Sequence, residues 1–283
     1  MKNIKIINVI NGVLILASVF LFAGALQAGV PLNNLEGVGG IAFNPLAYPA
    51  NAQSDWLSDG NLTLSKPQVG LWYVKLYNFG ADWESASVAA TLCKRLELSL
   101  GYERIDDHKK NLDINKTDFG QKFLLLNENA CGKNFIPAIS VGAIEKITSK
   151  DIQVPGVDQN GVDFYLVATK LITQLPLPVL LSGGLLSTRE WVTGVLGFDH
   201  DRRQTGFANI DILPTKNIAV GYEFKQGAKF SDFKNADYWD AHIAWFATKQ
   251  LTLVAAYTDT GNKDSTTRAG LGDGVVLSVH YSF

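Results

Sequence analysis

The sequence predicts an all-β protein: a single antiparallel transmembrane β-barrel of about 12 strands, behind an N-terminal signal peptide. Three observations lead there. Apolar and polar residues alternate along many short segments, short and long connections succeed each other, and the last segment closes on an aromatic residue.

Alternation carries the first step, because successive side chains of a strand point to opposite faces. Ile218, Val220, Tyr222 and Phe224 share one face, with Ala219, Gly221, Glu223 and Lys225 on the other. Leu251, Leu253, Ala255 and Tyr257 repeat the pattern, and Leu96, Leu98, Leu100 and Tyr102 stand opposite Arg95, Glu97, Ser99, Gly101 and Glu103. One oily face and one face of Gly, Ser, Thr and single charges suits a barrel with lipid outside and a polar lumen. A soluble sandwich shares this period, so connection length has to separate the two.

Strands are read at 68–79, 83–92, 95–104, 119–127, 134–146, 162–172, 179–188, 206–213, 217–226, 237–247, 251–260 and 274–283. Every second connection is short: Cys93-Lys94, Leu126 to Lys133, Thr173 to Pro178, Pro214 to Lys216, and Ala247 to Gln250. The others are mostly long and polar: Arg104 to Asp118, Lys146 to Gly161, Arg189 to Thr205, Gln226 to Ala236, and Thr260 to Asp273. Only Phe79 to Asp82 departs from that rule. Short turns on one rim and long loops on the other is the outer-membrane arrangement, with the turns towards the periplasm. In the last strand Val275, Leu277, Val279, Tyr281 and Phe283 share a face. Its terminal Phe283 is similar to the signal that such barrels present to their assembly machinery, which makes that machinery an expected partner beside membrane lipid. Trp72, Tyr73, Tyr77, Trp239, Trp245, Phe246, Tyr257 and Tyr281 crowd strand ends, as interfacial girdles require.

The composition agrees. Of 283 residues, 47% are hydrophobic and only 18% charged, below the quarter or so usual in soluble domains. The formal charge is −2, and −4 without the first 28 residues, which carry Lys2 and Lys5 and no acid. With no basic excess to neutralise phosphates, nucleic-acid binding is excluded as a role.

Residues 1–28 read as a signal peptide: Lys2 and Lys5, then an apolar stretch from Gly12 to Leu26, then small residues. Cleavage after Ala25 fits the small-x-small rule, and Ala28 is the alternative site. The longer run from Ile6 to Leu26 also nearly suffices for a membrane anchor, which Asn8 and Asn11 within it oppose. Residues 29–67 carry little period and much Gly, Asn and Pro, as in Leu35 to Tyr48. They form either a flexible leader or a segment that tucks into the lumen and narrows it. The barrel proper is expected over 68–283.

Candidate functional residues follow from the inward faces. Glu223 and Lys225 on one strand and Asp240 and His242 on the next form an expected lumen patch, either a filter for charged groups or protons or an ion-pair network that fixes register. Glu97, Glu103 and Asp163 add inward acids, consistent with a mildly cation-preferring interior. The loop from Arg189 to Arg203 carries Trp191, Val192, Val195, Leu196 and Phe198, too apolar for a solvated loop. It is expected to fold back as a constriction, to extend a strand pair above the membrane, or to dock a partner. Cys93 and Cys131, the only cysteines, both fall in short turns and are candidates for a disulfide.

Catalysis finds little support. The four histidines are His108, His200, His242 and His280, and there is no Gly-x-Ser-x-Gly elbow. Ser278, His280 and Ser282 alternate on one strand as ordinary lumen polarity. Asp106-Asp-His108 and Asp199-His-Asp201 lack a recognised metal-ligand spacing, so neither a metal nor a cofactor is expected.

Leu35 to Ala50, Gly161 to Lys170, Trp191 to Phe198, Asn217 to Lys225, Tyr238 to Phe246 and Leu251 to Gly261 resemble a proteobacterial family of uncharacterised outer-membrane barrels. More distantly, the chain is similar to barrels associated with uptake of hydrophobic aromatic compounds. The resemblance covers most of the mature chain, rests on strand-and-turn patterns, and implies fold and a Gram-negative outer-membrane location rather than an activity. The leading functional expectation is a narrow passive channel for small, conceivably hydrophobic solutes. Its alternatives are a filled scaffold that docks another envelope component through its loops and, further off, a lipid-modifying enzyme.

Overall fold

A computed structural model describes residues 32–59, 62–78, 80–107, 112–149, 157–230, 234–261 and 268–283. The signal peptide and cleavage site expected within 1–28, and His108, lie outside the described residues.

Twelve antiparallel strands close into one ring: β1 (Gln68–Leu76), β2 (Ala81–Leu92), β3 (Leu96–Asp107), β4 (Leu112–Leu126), β5 (Ala138–Thr148), β6 (Asn160–Ile172), β7 (Val179–Glu190), β8 (Phe198–Thr215), β9 (Ile218–Lys225), β10 (Tyr238–Phe246), β11 (Leu251–Asp259) and β12 (Asp273–Ser282). Each strand pairs with its sequence neighbours, and β12 closes on β1 with Leu277 opposite Tyr73 and Tyr281 opposite Val69. Closure removes every sheet edge from the ring, which hydrocarbon requires of a spanning sheet.

The outer wall shows why the alternation was strict. Leu71, Leu98, Leu100, Phe119, Phe123, Val141, Leu166, Leu185, Ile210, Val220, Ile243 and Leu277 are all exposed, while their neighbours in sequence turn inward. In water such a continuous apolar belt would be costly; facing lipid it is what a transmembrane barrel presents. Towards the rim opposite the short turns, Tyr73 donates to Asp82 at 2.9 Å, Tyr102 to Asn115 at 2.7 Å and Tyr257 to Asp273 at 2.9 Å. Rings on the oily side with hydroxyls on polar partners mark an interfacial girdle. Tyr222, Trp239 and Tyr257 stack side by side at the same level, and Trp245, Tyr281 and Phe283 occupy the other end.

Two strands run longer than their alternation suggested. β4 begins at Leu112 and β8 at Phe198, so much of the expected loops 104–118 and 189–205 is strand. Their added parts lack an oily outer face (Asp113, Asn115; Asp199, His200, Asp201), because beyond the bilayer that face meets polar surroundings and the period fades, while Ile114 and Phe198 stay buried. The hairpin Asp55–Asp59/Leu62–Ser65, within the stretch read as leader, extends the sheet beside β2 at the short-turn rim, with Leu64 opposite Leu92.

Cys93 and Cys131 are both exposed in short turns, and no disulfide joins them. The turns lie two strands apart, about 10 Å at ~4.8 Å per strand, beyond the ~7 Å between Cα atoms that a disulfide tolerates.

Candidate functional site: a filled lumen

Residues 32–52 lie inside the ring, buried throughout except for half-buried Tyr48. A short hairpin pairs Leu32 with Gly40 and Asn33 with Gly39. The segment otherwise has little secondary structure to satisfy its backbone, so the wall supplies the partners that buried N–H and C=O groups need. Leu32 packs with Leu213, Ala219, Ala244 and Val254 at the short-turn end. Asn51 donates to the Lys66 carbonyl just ahead of β1, so the segment both begins and ends towards that rim.

Two inward glutamates do most of the holding. Glu223 on β9 accepts the backbone N–H groups of Ala42 (3.1 Å), Phe43 (2.8 Å) and Asn44 (2.7 Å). Glu97 on β3 accepts those of Gly39 (2.7 Å) and Ala50 (2.6 Å), and pairs with Lys122 at 2.8 Å. Lys122 in turn donates to the Gly39 carbonyl at 2.7 Å. Hydroxyls complete the grip: Ala47 donates to Thr169 (2.8 Å) and accepts from Ser140 (2.5 Å), while Leu35 accepts from Ser85 (2.7 Å). The Trp72 indole donates to the Asn33 carbonyl at 2.8 Å.

Shape matters as much as charge. Val38 and Ala47 pack against Leu124, Ile144, Tyr165 and Phe207. Inward glycines make the room: a Cβ at Gly101 would meet the Glu36 carbonyl oxygen at 2.8 Å, and one at Gly120 would overlap Val38 and Ser99.

Glu36, the only charged residue of the segment, reaches an ion network nearer the other rim. Lys146 meets Glu36 at 2.5 Å, Glu190 at 2.6 Å and Asp163 at 2.7 Å. Lys116 pairs with Glu103 at 2.8 Å, and Lys225 with Glu190 at 3.0 Å. The patch expected of Glu223, Lys225, Asp240 and His242 therefore divides. All four side chains are inward and buried, and Glu223 stands opposite Asp240 in register. Lys225, however, belongs to the Glu190 network. His242 is clamped between Asp240 and Asp211, at 2.7 Å from each. Glu97, Glu103 and Asp163 face the lumen as well, but with lysine partners within 3 Å.

Sequence reasoning missed Glu36, Lys116, Asp118, Lys122, Lys146, Glu190 and Asp211. Alternation held the signal for several: Lys122 and Leu124 share the parity of Glu97 across the β3–β4 pair, and Asp211 shares that of Asn209. Lys116 and Asp118 were cut off by starting the strand at 119.

The loop holding Trp191, Val195, Leu196 and Phe198 turns over the lumen mouth. Val192, Val195 and Phe198 are buried, and Leu196 packs against the cluster that Leu35, Phe43, Trp72 and Trp83 form with Val192, Val195 and Tyr238. Lys116 donates to the Thr193 carbonyl at 2.8 Å, and Thr148 to that of Gly194 at 2.7 Å. Trp191, half-buried, reaches Asp199 at 3.1 Å. Of the other polar groups, His280 meets Ser278 at 2.9 Å and packs against the Trp72 ring, and among the described residues its Nδ1 has no hydrogen-bond partner. Asp201 is occupied by Arg203 at 3.2 Å.

A closed twelve-stranded ring, apolar outside and charged within, defines the class: a porin-like transmembrane barrel whose lumen is filled by its own N-terminal segment. Residues 29–279 match the model of the family described as protein of unknown function DUF3034, and the chain belongs to that family. Among solved structures it is similar to the KdgM porin (14% identity, TM-score 0.51, covering 76% of this chain and 99% of that one). An outer membrane protein of Acinetobacter baumannii (11% identity, TM-score 0.49, covering 77% and 98%) and the NanC porin (10%, 0.49, 77% and 98%) follow. A search among curated proteins finds no match.

Proposed function

We propose that the protein is an outer-membrane channel for small solutes, closed by residues 32–52 and opened when that segment yields. The short-turn rim faces the periplasm in this reading, and solute crosses the polar interior past Glu97, Glu223 and the Lys146 network. One observation carries it. The filling segment is held by reversible hydrogen bonds that its backbone N–H groups donate to wall side chains, and among the described residues it has no strand pairing with the ring, so it can leave without breaking the barrel. The porin fold is consistent with this. Docking through the loops is the less favoured reading, since Val192, Val195 and Phe198, which would supply the contact, are spent on the interior.

The test is conductance. Purified full-length protein in planar bilayers should give small, infrequent openings, and the chain lacking residues 32–52 larger and steadier ones. Heat-modifiable migration on gels checks that the shortened barrel folds. If neither form conducts or passes solute, transport is refuted.

A further inference from the structure

We infer that the passage uncovered when residues 32–52 move selects cations and ammonium-bearing solutes, because the segment itself occupies the wall acids in the manner of such a solute. The inference rests on the channel reading above and adds the substrate class.

Charge bookkeeping is the first support. Among the described residues the buried charged side chains of the wall are Glu97, Glu103, Asp107, Asp118, Asp163, Glu190, Asp211, Glu223 and Asp240, against Lys116, Lys122, Lys146 and Lys225, with His242 besides. Nine acids thus face four lysines once Glu36 departs with the segment. The ion pairs use up the lysines (Lys116 with Glu103, Lys122 with Glu97, Lys146 with Asp163 and Glu190, Lys225 with Glu190), so acidic groups are left over.

The second support is what now neutralises the surplus. Five backbone N–H groups of the segment point at Glu97 and Glu223 and almost no acceptor does. A solute that replaces the segment meets Glu223 without its three backbone donors and Glu97 without two, Lys122 remaining beside Glu97. Among the described residues no lysine pairs with Glu223, so an anion is disfavoured there, whereas an ammonium group supplies three N–H donors and a charge. Third, Asp118 is wholly buried beside Glu103, with the Lys116 ammonium 3.5 Å away. Asp240 stands likewise beside Glu223, its partner in register. Acids are thus set against acids on the same wall, where a cation would be welcome.

In a low-dielectric cleft of one sign the potential reaches several kT, and each kT enriches cations and depletes anions by about e, giving roughly a sevenfold ratio. The experiment measures reversal potentials of full-length protein across a potassium chloride gradient, then with methylammonium and acetate replacing the ions. Potassium should pass roughly sevenfold or more better than chloride, and methylammonium better than acetate. Two variants separate selectivity from gating. Glu97→Gln with Glu223→Gln loosens the segment and removes acid, so openings become more frequent and cation preference falls. Lys122→Gln also loosens the segment but removes base, so openings become more frequent and cation preference rises. Chloride-preferring or unselective openings, or the same change of selectivity in both variants, would overturn the inference and leave the channel intact. Silence from every form, including the chain without residues 32–52, defeats the channel and the inference together.

Discussion

Replacing Glu223 by alanine should release the segment without touching the outer wall. Its carboxylate accepts three consecutive backbone N–H groups at 2.7–3.1 Å in a fully buried setting. A hydrogen bond to a charged acceptor contributes about 1.5–3 kcal/mol. The low end for three bonds exceeds 4 kcal/mol; relief of the buried charge and hydration of the freed N–H groups offset part of that. A net of about 3 kcal/mol favours the open state roughly a hundredfold. The readout is thiol accessibility. In a Cys93→Ser, Cys131→Ser background, Ala47→Cys places a thiol on a fully buried residue held by Thr169 and Ser140. A charged methanethiosulfonate reagent then labels only open molecules. Adding Glu223→Ala should raise the labelling rate by about two orders of magnitude, with the folded barrel still migrating normally on gels. Equal rates in a folded barrel would refute the idea that this carboxylate anchors the segment.

Two further perturbations separate shape from charge and inside from outside. Gly120→Val would drive a side chain into Val38 and Ser99, an overpacking worth ~1–3 kcal/mol, and should increase openings in bilayers while leaving ion selectivity unchanged; a barrel that stays closed would show that the segment repacks. Leu277→Arg, on an exposed residue of β12 between the two aromatic girdles, should lower stability by about 2–4 kcal/mol in urea titrations in lipid. No loss there would mean that the oily wall does not face a bilayer.

How far the sequence disclosed this structure depended on where each strand sits. Between the girdles the outer face must be apolar, so Leu96 to Tyr102 and Ile218 to Phe224 read cleanly; the second strand was placed within a residue at both ends, and the first within a residue at its start but three short at its end. Beyond the bilayer that demand lapses. Asp113 and Asn115, or Asp199 to Gln204, leave no oily outer face, and strand there is indistinguishable from loop. The segment 32–52 posed a different difficulty. It has neither period because its backbone is satisfied by Glu97, Glu223, Thr169 and Ser140, which come from four strands far along the chain. Its only local signs are Gly, Asn and a single charge. The patch of Glu223, Lys225, Asp240 and His242 was legible as inward residues but not as two networks, because the partners that split it, Glu190 and Asp211, lie on β7 and β8.

The composition of the interior bears on whether the segment is permanent. Removing charges from water costs several kcal/mol each, and a buried ion pair is often no more stable than apolar residues of the same volume. A barrel meant to stay filled would gain from a hydrocarbon interior, as the clusters around Val38 and Leu32 already show in part. Instead, among the described residues, nine buried acids of the wall and Glu36 of the segment stand against four lysines, and Asp118 lies beside Glu103 with its nearest ammonium 3.5 Å away. That arrangement is unfavourable around a fixed core and favourable around water and ions. In the proposed channel the charged wall is the lining of the passage, and the segment within it is the removable filling.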